Sequence, residues 1–219
     1  MELYTARVCP YAHRTRLALL EKGLEFEHIE IDFKNKSERF LAVSPYGKVP
    51  ALVHDGQTIY ESAIINEYLD DVFPDPPLMP SSAISRAKAR IWIHYCNEYF
   101  TSDLYAVIRN RDPGKHAELA AKATERLRFV EREAFARLSG DGPYWFGAQI
   151  GLTDLAWYPY FERLPAWTHY RGVAIPEDCP RLAAWAEAMA ARPSVRAIAN
   201  DAAYYIERYK GYAGEAMAA

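Results

Sequence analysis

The sequence predicts two parts in series: an α/β domain built on a small mixed sheet, then an all-helical domain. Three observations lead there. From Glu2 to Phe73, short strand-like stretches and helical periodicity succeed one another in the order β-α-β-α-β-β-α. The stretch "PDPPLMPSS" then carries four prolines in nine residues, which neither helix nor strand tolerates. Beyond it the apolar periodicity is helical almost throughout and rich in alanine, the strongest helix former. The expected division is residues 1–76 as the α/β domain, 77–83 as linker and 84–219 as the helical domain.

Each element has a local reason. "ELYT" reads as a short strand, and Pro10 suits the first turn of a helix, where an N–H would be unpaired anyway. Leu17, Leu20 and Leu24 mark the apolar side of that helix and Gly23 its stop. "EFEHIEIDF" predicts a second strand, with a phase change near His28 that suggests a bulge. "KSERFLAVSP" predicts a short helix closed before Pro45. "VPALVHDGQTIY" is a hairpin turning at Asp55-Gly56, and "ESAIINEYLDDVF" a helix with Ile64, Ile65, Tyr68, Leu69, Val72 and Phe73 on one stripe. In the second half, "AISRAKARIWIHYCNEYFTSDLYAVIRN" predicts one long helix, or one broken near Thr101. "HAELAAKATERLRFVEREAFARLS" is another, "LTDLAWYPYFERL", "PRLAAWAEAMAA" and "AAYYIERY" are shorter helices, and "AGEAMAA" is a frayed tail.

Composition removes several function classes. Among 219 residues, 26 are Lys or Arg and 29 Asp or Glu, a net charge of −3 that does not favour nucleic-acid binding. The sequence shows no cationic leader before an apolar run and no span of bilayer length, so a cytoplasmic protein without a membrane role is expected. Three scattered cysteines, Cys9, Cys96 and Cys179, make no disulfide framework, and no zinc-like Cys/His spacing predicts a metal.

The chemistry concentrates in three places. Cys9 directly precedes Pro10, so its sulfur should sit beside the free N–H groups and positive pole of a helix start, which favours thiolate. His13 and Arg16 lie one and two turns on and add positive charge if they face it. The alternative is a small buried apolar residue. "GKVPALV" puts Val49-Pro50 at the entry to a strand, either as a cis bond that frees the Val49 backbone to pair with an extended peptide or as a trans edge proline. Ser62 in "YESAI" opens a helix, either as an anion site or as a plain N-cap.

These motifs in this order resemble the glutathione transferase superfamily. "CPYAHRTRLALLEKG", "IDFKNK", "GKVPAL", "IYESAIINEYLDDVFP" and "LTDLAWYPYFERL" resemble its omega class over nearly the whole chain. The related lambda and dehydroascorbate reductase groups also carry a cysteine at the corresponding point. The resemblance implies a thioredoxin-like first domain, a helical second domain forming the acceptor-substrate pocket, and a homodimer. It implies glutathione as co-substrate and Cys9 as the catalytic residue, forming a mixed disulfide with it in a thiol transferase or reductase reaction. Dehydroascorbate and methylated arsenicals are acceptors the family suggests. Tyr11 would lie beside the tripeptide, Lys36 would meet its glycine carboxylate, and Val49, before Pro50, would pair with its backbone. Glu61 and Ser62 would hold the γ-glutamyl amine and carboxylate. Lys36 taken alone reads as a surface lysine.

Two departures from the family pattern stand out. The helix at Leu152 opens with Gly151 where a Ser/Thr-x-x-Asp capping box is usual, while Asp154 remains. A tryptophan expected near the start of "AAYYIERY" is replaced by alanine, leaving Tyr204 or Tyr205 to fill its space. Arg163 matches a pocket residue of the class; Tyr105, Arg109, Trp157 and Tyr160 are candidate acceptor-pocket walls at helical spacing, where an aromatic stripe can equally be core. Two rival functions share the fold. One is a conjugating transferase, in which a hydroxyl such as that of Tyr4 or Thr5 stabilises the glutathione thiolate. The other is a non-catalytic interaction module.

Overall fold

The computed structural model describes residues 1–214, so the last five residues of the expected tail lie outside the description. Strand β1 (Glu2–Thr5) leads into helix α1 (Pro10–Glu21), followed by β2 (Glu27–Glu30), α2 (Glu38–Val43), β3 (Ala51–His54), β4 (Gln57–Tyr60) and α3 (Ser62–Val72). The sheet order is β2-β1-β3-β4, with β1 and β2 parallel and the other pairs antiparallel. This is the predicted α/β, thioredoxin-like part. β2 pairs with β1 residue for residue, from Glu2 opposite Glu27 to Thr5 opposite Glu30. The phase change near His28 is therefore no bulge. β2 is an edge strand whose Glu27, His28 and Glu30 are exposed, so nothing imposes an apolar alternation on it.

Side-chain alternation splits β1 and β3 between two cores. Leu3 and Leu52 pack with Leu17 of α1 and Ile65 and Leu69 of α3. Tyr4 and Ala51 point the other way, onto Phe40 of α2. Each fully buried leucine contributes about 1.5–3 kcal/mol.

The helical part follows. Helix α4 (Ala83–Tyr95) passes through a π-turn (Cys96–Phe100) into α5 (Thr101–Arg109), so the expected long helix is continuous but widened just before Thr101. Helix α6 (Pro113–Val130) continues through a second π-turn (Glu131–Phe135) into α7 (Ala136–Leu138). Then come α8 (Leu152–Arg171), α9 (Pro180–Ala190), α10 (Pro193–Ile198) and α11 (Ala202–Ala213). Helix α8 runs beyond the predicted Leu164, through Pro159 and Pro165. It is buried almost throughout, and that packing outweighs the helix bonds its prolines cannot make. No described helix is long and apolar enough to cross a membrane.

The proline-rich segment is not free. Lys22 Nζ donates to the carbonyls of Phe73 (2.7 Å) and Pro76 (2.9 Å) and pairs with Asp70 at 2.7 Å. Asp70 in turn accepts from the N–H groups of Leu78 and Met79. Gly151 has a steric reason: a Cβ there would stand 2.8 Å from the Leu78 carbonyl oxygen. Asp154 still closes the helix start, accepting from the N–H of Gly151 (2.8 Å) and Trp145 (3.1 Å) and from Trp185 Nε1 (2.8 Å).

Candidate active site between the two domains

Helix α1 carries the chemistry because it lies between the sheet and α8. Its polar residues His13, Arg14, Thr15 and Arg16, which run round a full turn, are all buried. Gly23, at φ +63°, ends the helix and returns the Leu24 N–H to the Leu19 carbonyl at 2.9 Å.

Cys9 is the N-cap of α1, and Pro10 takes the first helical position as predicted. Cys96 and Cys179 are buried and Cys9 is only partly so, which makes it the most accessible of the three thiols. Its S–H is directed at the Val49 carbonyl, Sγ to O 3.7 Å. The titration expected from helix position alone is corrected. Burial pushes the Cys9 thiol above its ordinary value, against the lowering effect of the Ala12 and Tyr11 N–H groups and of Arg163 and Arg16. The local field favours thiolate, but the surrounding protein removes more water than that field repays. His13 adds no charge either. Burial, with Arg163 and Arg16 beside it, holds its imidazole well below its usual value, hence neutral.

Opposite the sulfur, Val49-Pro50 is a cis bond, and among the described residues the Val49 N–H has no partner. Glu61 caps α3 at φ +71°, a strained backbone for a non-glycine residue worth about 1–3 kcal/mol. Ser62 follows, buried at the first turn.

The structure gathers Tyr11, Val49, Pro50, Glu61 and Ser62 around one cavity of about 250 Å³. Lys36 lines neither this cavity nor the larger one beside it. It is exposed at the edge, close enough that a Cβ on Gly47 would lie 3.2 Å from its Nζ. Lys48 lines the cavity instead, with Asn97 and Glu98 from the helical part. The signal for Lys48 was present in "GKVPAL", where the residue before Val49 is a cation at the mouth of a peptide-pairing strand. Asn97 and Glu98 sit in the π-turn, which no sequence motif announces.

A second cavity of about 630 Å³ holds Cys9 and Tyr11 on one side and Tyr105 and Arg109 on the other. Three of the expected wall residues are elsewhere. Trp157 is fully buried, donating Nε1–H to the Trp92 carbonyl at 3.1 Å. Tyr160 is buried behind Tyr11, ring centroids 6.4 Å apart. Arg163 is buried too, donating to the carbonyls of Pro159 (2.7 Å) and Val8 (3.2 Å) and to His13 Nδ1 (3.1 Å). Helix α8 is enclosed on nearly every side, so its aromatic spacing marks core rather than a pocket wall. The tyrosines expected to fill the place of the missing tryptophan do not line the cavity either. Tyr205 is buried against Glu162, and Tyr204 lies under the Arg7 guanidinium. Tyr209 and Tyr212, further along α11, line it together with Phe33 and Arg208.

A cysteine at a helix start, its sulfur 3.7 Å from the carbonyl that precedes a cis-proline, is a thioredoxin-like arrangement, and it borders the helical domain. Two family models match the chain: glutathione S-transferase, N-terminal domain, over residues 8–72, and glutathione S-transferase, C-terminal domain, over residues 125–188. Glutathione S-transferase U19 of Arabidopsis thaliana is 34% identical over 190 residues, covering 84% of this chain and 83% of that protein. The structure of the Tau class glutathione S-transferase MiGSTU from mango, Mangifera indica, superposes with a TM-score of 0.90 at 28% identity, covering 96% of this chain and 97% of that one. Glutathione transferase Omega 3C from Trametes versicolor superposes with a TM-score of 0.84 at 29% identity, covering 95% and 89%. The chain belongs to the glutathione S-transferase family. Its likeness extends to both the Tau and the Omega classes, with the Tau-class structure at the higher TM-score of these two.

Among the described residues no cluster of His, Cys, Asp and Glu could hold a metal ion.

Proposed function

We propose that the protein is a cysteine-type, omega-like glutathione transferase that works as a glutathione-dependent thiol transferase or reductase through Cys9. The observation that carries this reading is the position of the Cys9 sulfur, at a helix start facing the Val49 carbonyl and bordering the larger cavity. In the proposed binding mode, the glutathione backbone pairs with Val49 beside cis-Pro50, its γ-glutamyl end meets Glu61 and Ser62, and Tyr11 flanks it. Lys48, which lines the smaller cavity where Lys36 does not, receives a carboxylate. The Cys9 thiolate attacks the glutathionyl sulfur of a mixed disulfide, forming a Cys9–glutathione disulfide and releasing the partner as thiolate, which takes up a proton. The thiolate of a second glutathione then attacks that enzyme disulfide, releasing oxidised glutathione and Cys9 thiolate. Two glutathiones leave oxidised for each acceptor sulfur reduced. The protein acts in the cytoplasm as a homodimer, the assembly the family resemblance implies.

One observation favours conjugation as a second reading. Because burial pushes the Cys9 thiol above its ordinary value, its S–H form can donate to a glutathione thiolate, as a hydroxyl does in a conjugating transferase. "Glutathione S-transferase", the name of the Arabidopsis relative, is consistent with that chemistry. Intact mass after incubation with oxidised glutathione separates the two. The thiol transferase reading expects one glutathionyl group on the wild type and none on Cys9→Ser. An unmodified wild type that retains conjugating activity would favour the second reading, and disulfide reduction undiminished in Cys9→Ser would end the first.

A further inference from the structure

The larger cavity has an unusual charge. Tyr105, Tyr209, Tyr212 and Phe33 give it an aromatic wall, and its only charged lining residues among those described are Arg109 and Arg208. A smaller recess of about 320 Å³ shares these two arginines and adds Arg111. The whole chain carries a net charge of −3, so this is a local excess of cation in an acidic protein. Several exposed arginines elsewhere are paired with carboxylates: Arg90 with Glu67, Arg128 with Asp178 and Arg39 with Glu2. Among the described residues neither Arg109 nor Arg208 has a carboxylate partner.

Arg109 is nevertheless held in place. Its guanidinium carbon lies 4.7 Å from the Tyr105 ring centroid and 5.1 Å from that of Tyr212. Two rings orient the guanidinium plane and leave its N–H groups unclaimed, as bidentate recognition of a planar oxyanion requires. An aromatic body fits the tyrosine wall, and a cavity of about 630 Å³ is within the usual range for a small-molecule site.

We propose that this cavity selects planar aromatic acceptors bearing a carboxylate, with Arg109 and Arg208 reading the charge and the tyrosines the ring. The inference rests on the reading of the cavity beside Cys9 as the acceptor site, and its test uses no glutathione, so the two can fail separately. Equilibrium dialysis of the full chain compares 1-naphthoate with its neutral analogue 1-naphthalenemethanol. The acid should bind about tenfold more tightly, the ratio one charge-assisted contact supplies, and the ratio should fall as salt is raised. Arg109→Gln and Arg208→Gln should each lower the acid-to-alcohol ratio at least threefold; a ratio within one variant is insensitive to any loss of folded protein. Bound naphthoate should also slow alkylation of Cys9, which borders the same cavity. Equal affinities, a ratio that neither substitution changes, or no protection of Cys9 would each overturn the proposal. Absence of Cys9 glutathionylation would count against the thiol transferase mechanism and leave the dialysis result intact.

Discussion

Arg163, on a helix of the second domain, donates its Nη2 hydrogen to the carbonyl of Val8, the residue before Cys9, at 3.2 Å. The same guanidinium reaches Pro159 and His13 and lies 4.7 Å from the Tyr205 ring centroid. A single buried cation thus ties the loop that positions the thiol to the helical core. Replacing it with methionine keeps much of the volume but orphans two carbonyl contacts. Arg163→Met should cost about 3 kcal/mol in urea unfolding. Because Arg163 also lowers the Cys9 value, the variant's thiol should alkylate more slowly than the wild type at any given pH below its titration.

The pH profile of Cys9 follows from burial. Its folded value lies above the ordinary thiol value, so alkylation by iodoacetamide should keep rising through the alkaline range, with no plateau at neutral pH. The sign for stability is opposite to that of a salt-bridged carboxylate. Above the unfolded thiol value the unfolded chain ionises first, so stability falls as pH climbs towards the folded value. A plateau already present near pH 7 would show a thiolate stabilised beyond what this geometry provides.

Lys48 and Lys36 give a direct comparison. Lys48 lines the smaller cavity, and Lys36 does not. Lys48→Met should weaken glutathione binding about tenfold by calorimetry, the loss of roughly one charge-assisted hydrogen bond, and Lys36→Met distinctly less. The reverse order would return the carboxylate contact to Lys36.

Capping rules alone would favour serine at position 151, since Ser-x-x-Asp is a capping box. The structure reverses that sign, because the added Cβ would meet the Leu78 carbonyl at 2.8 Å. Gly151→Ser should therefore lower stability by about 1–2 kcal/mol in thermal or urea unfolding. A stabilised variant would mean that the proline-rich segment yields without cost.

What was legible in the sequence sat at element junctions. Cys9-Pro10, Val49-Pro50 and Glu61-Ser62 each combine a residue type with a turn or helix start, and short-range backbone geometry is set by neighbours in the chain. Lys48, directly before Val49, is equally local. Trp157, Tyr160 and Arg163 went astray for another reason. Periodicity separates inside from outside only when a helix has an outside, and α8 has almost none. In the same way Tyr204 and Tyr205 begin α11, but the face that borders the cavity carries Tyr209 and Tyr212.

By itself, the sequence determined the order of elements, the helix start at Cys9 and the motifs that border the smaller cavity, because each is written in residues close along the chain. Only the tertiary structure decided which tyrosines and arginines face the larger cavity and how readily the thiol ionises. Burial and long-range contact are properties of segments far apart in sequence, and Cys9 packs against a cluster that includes Tyr4, Phe40 and Val49 from other elements.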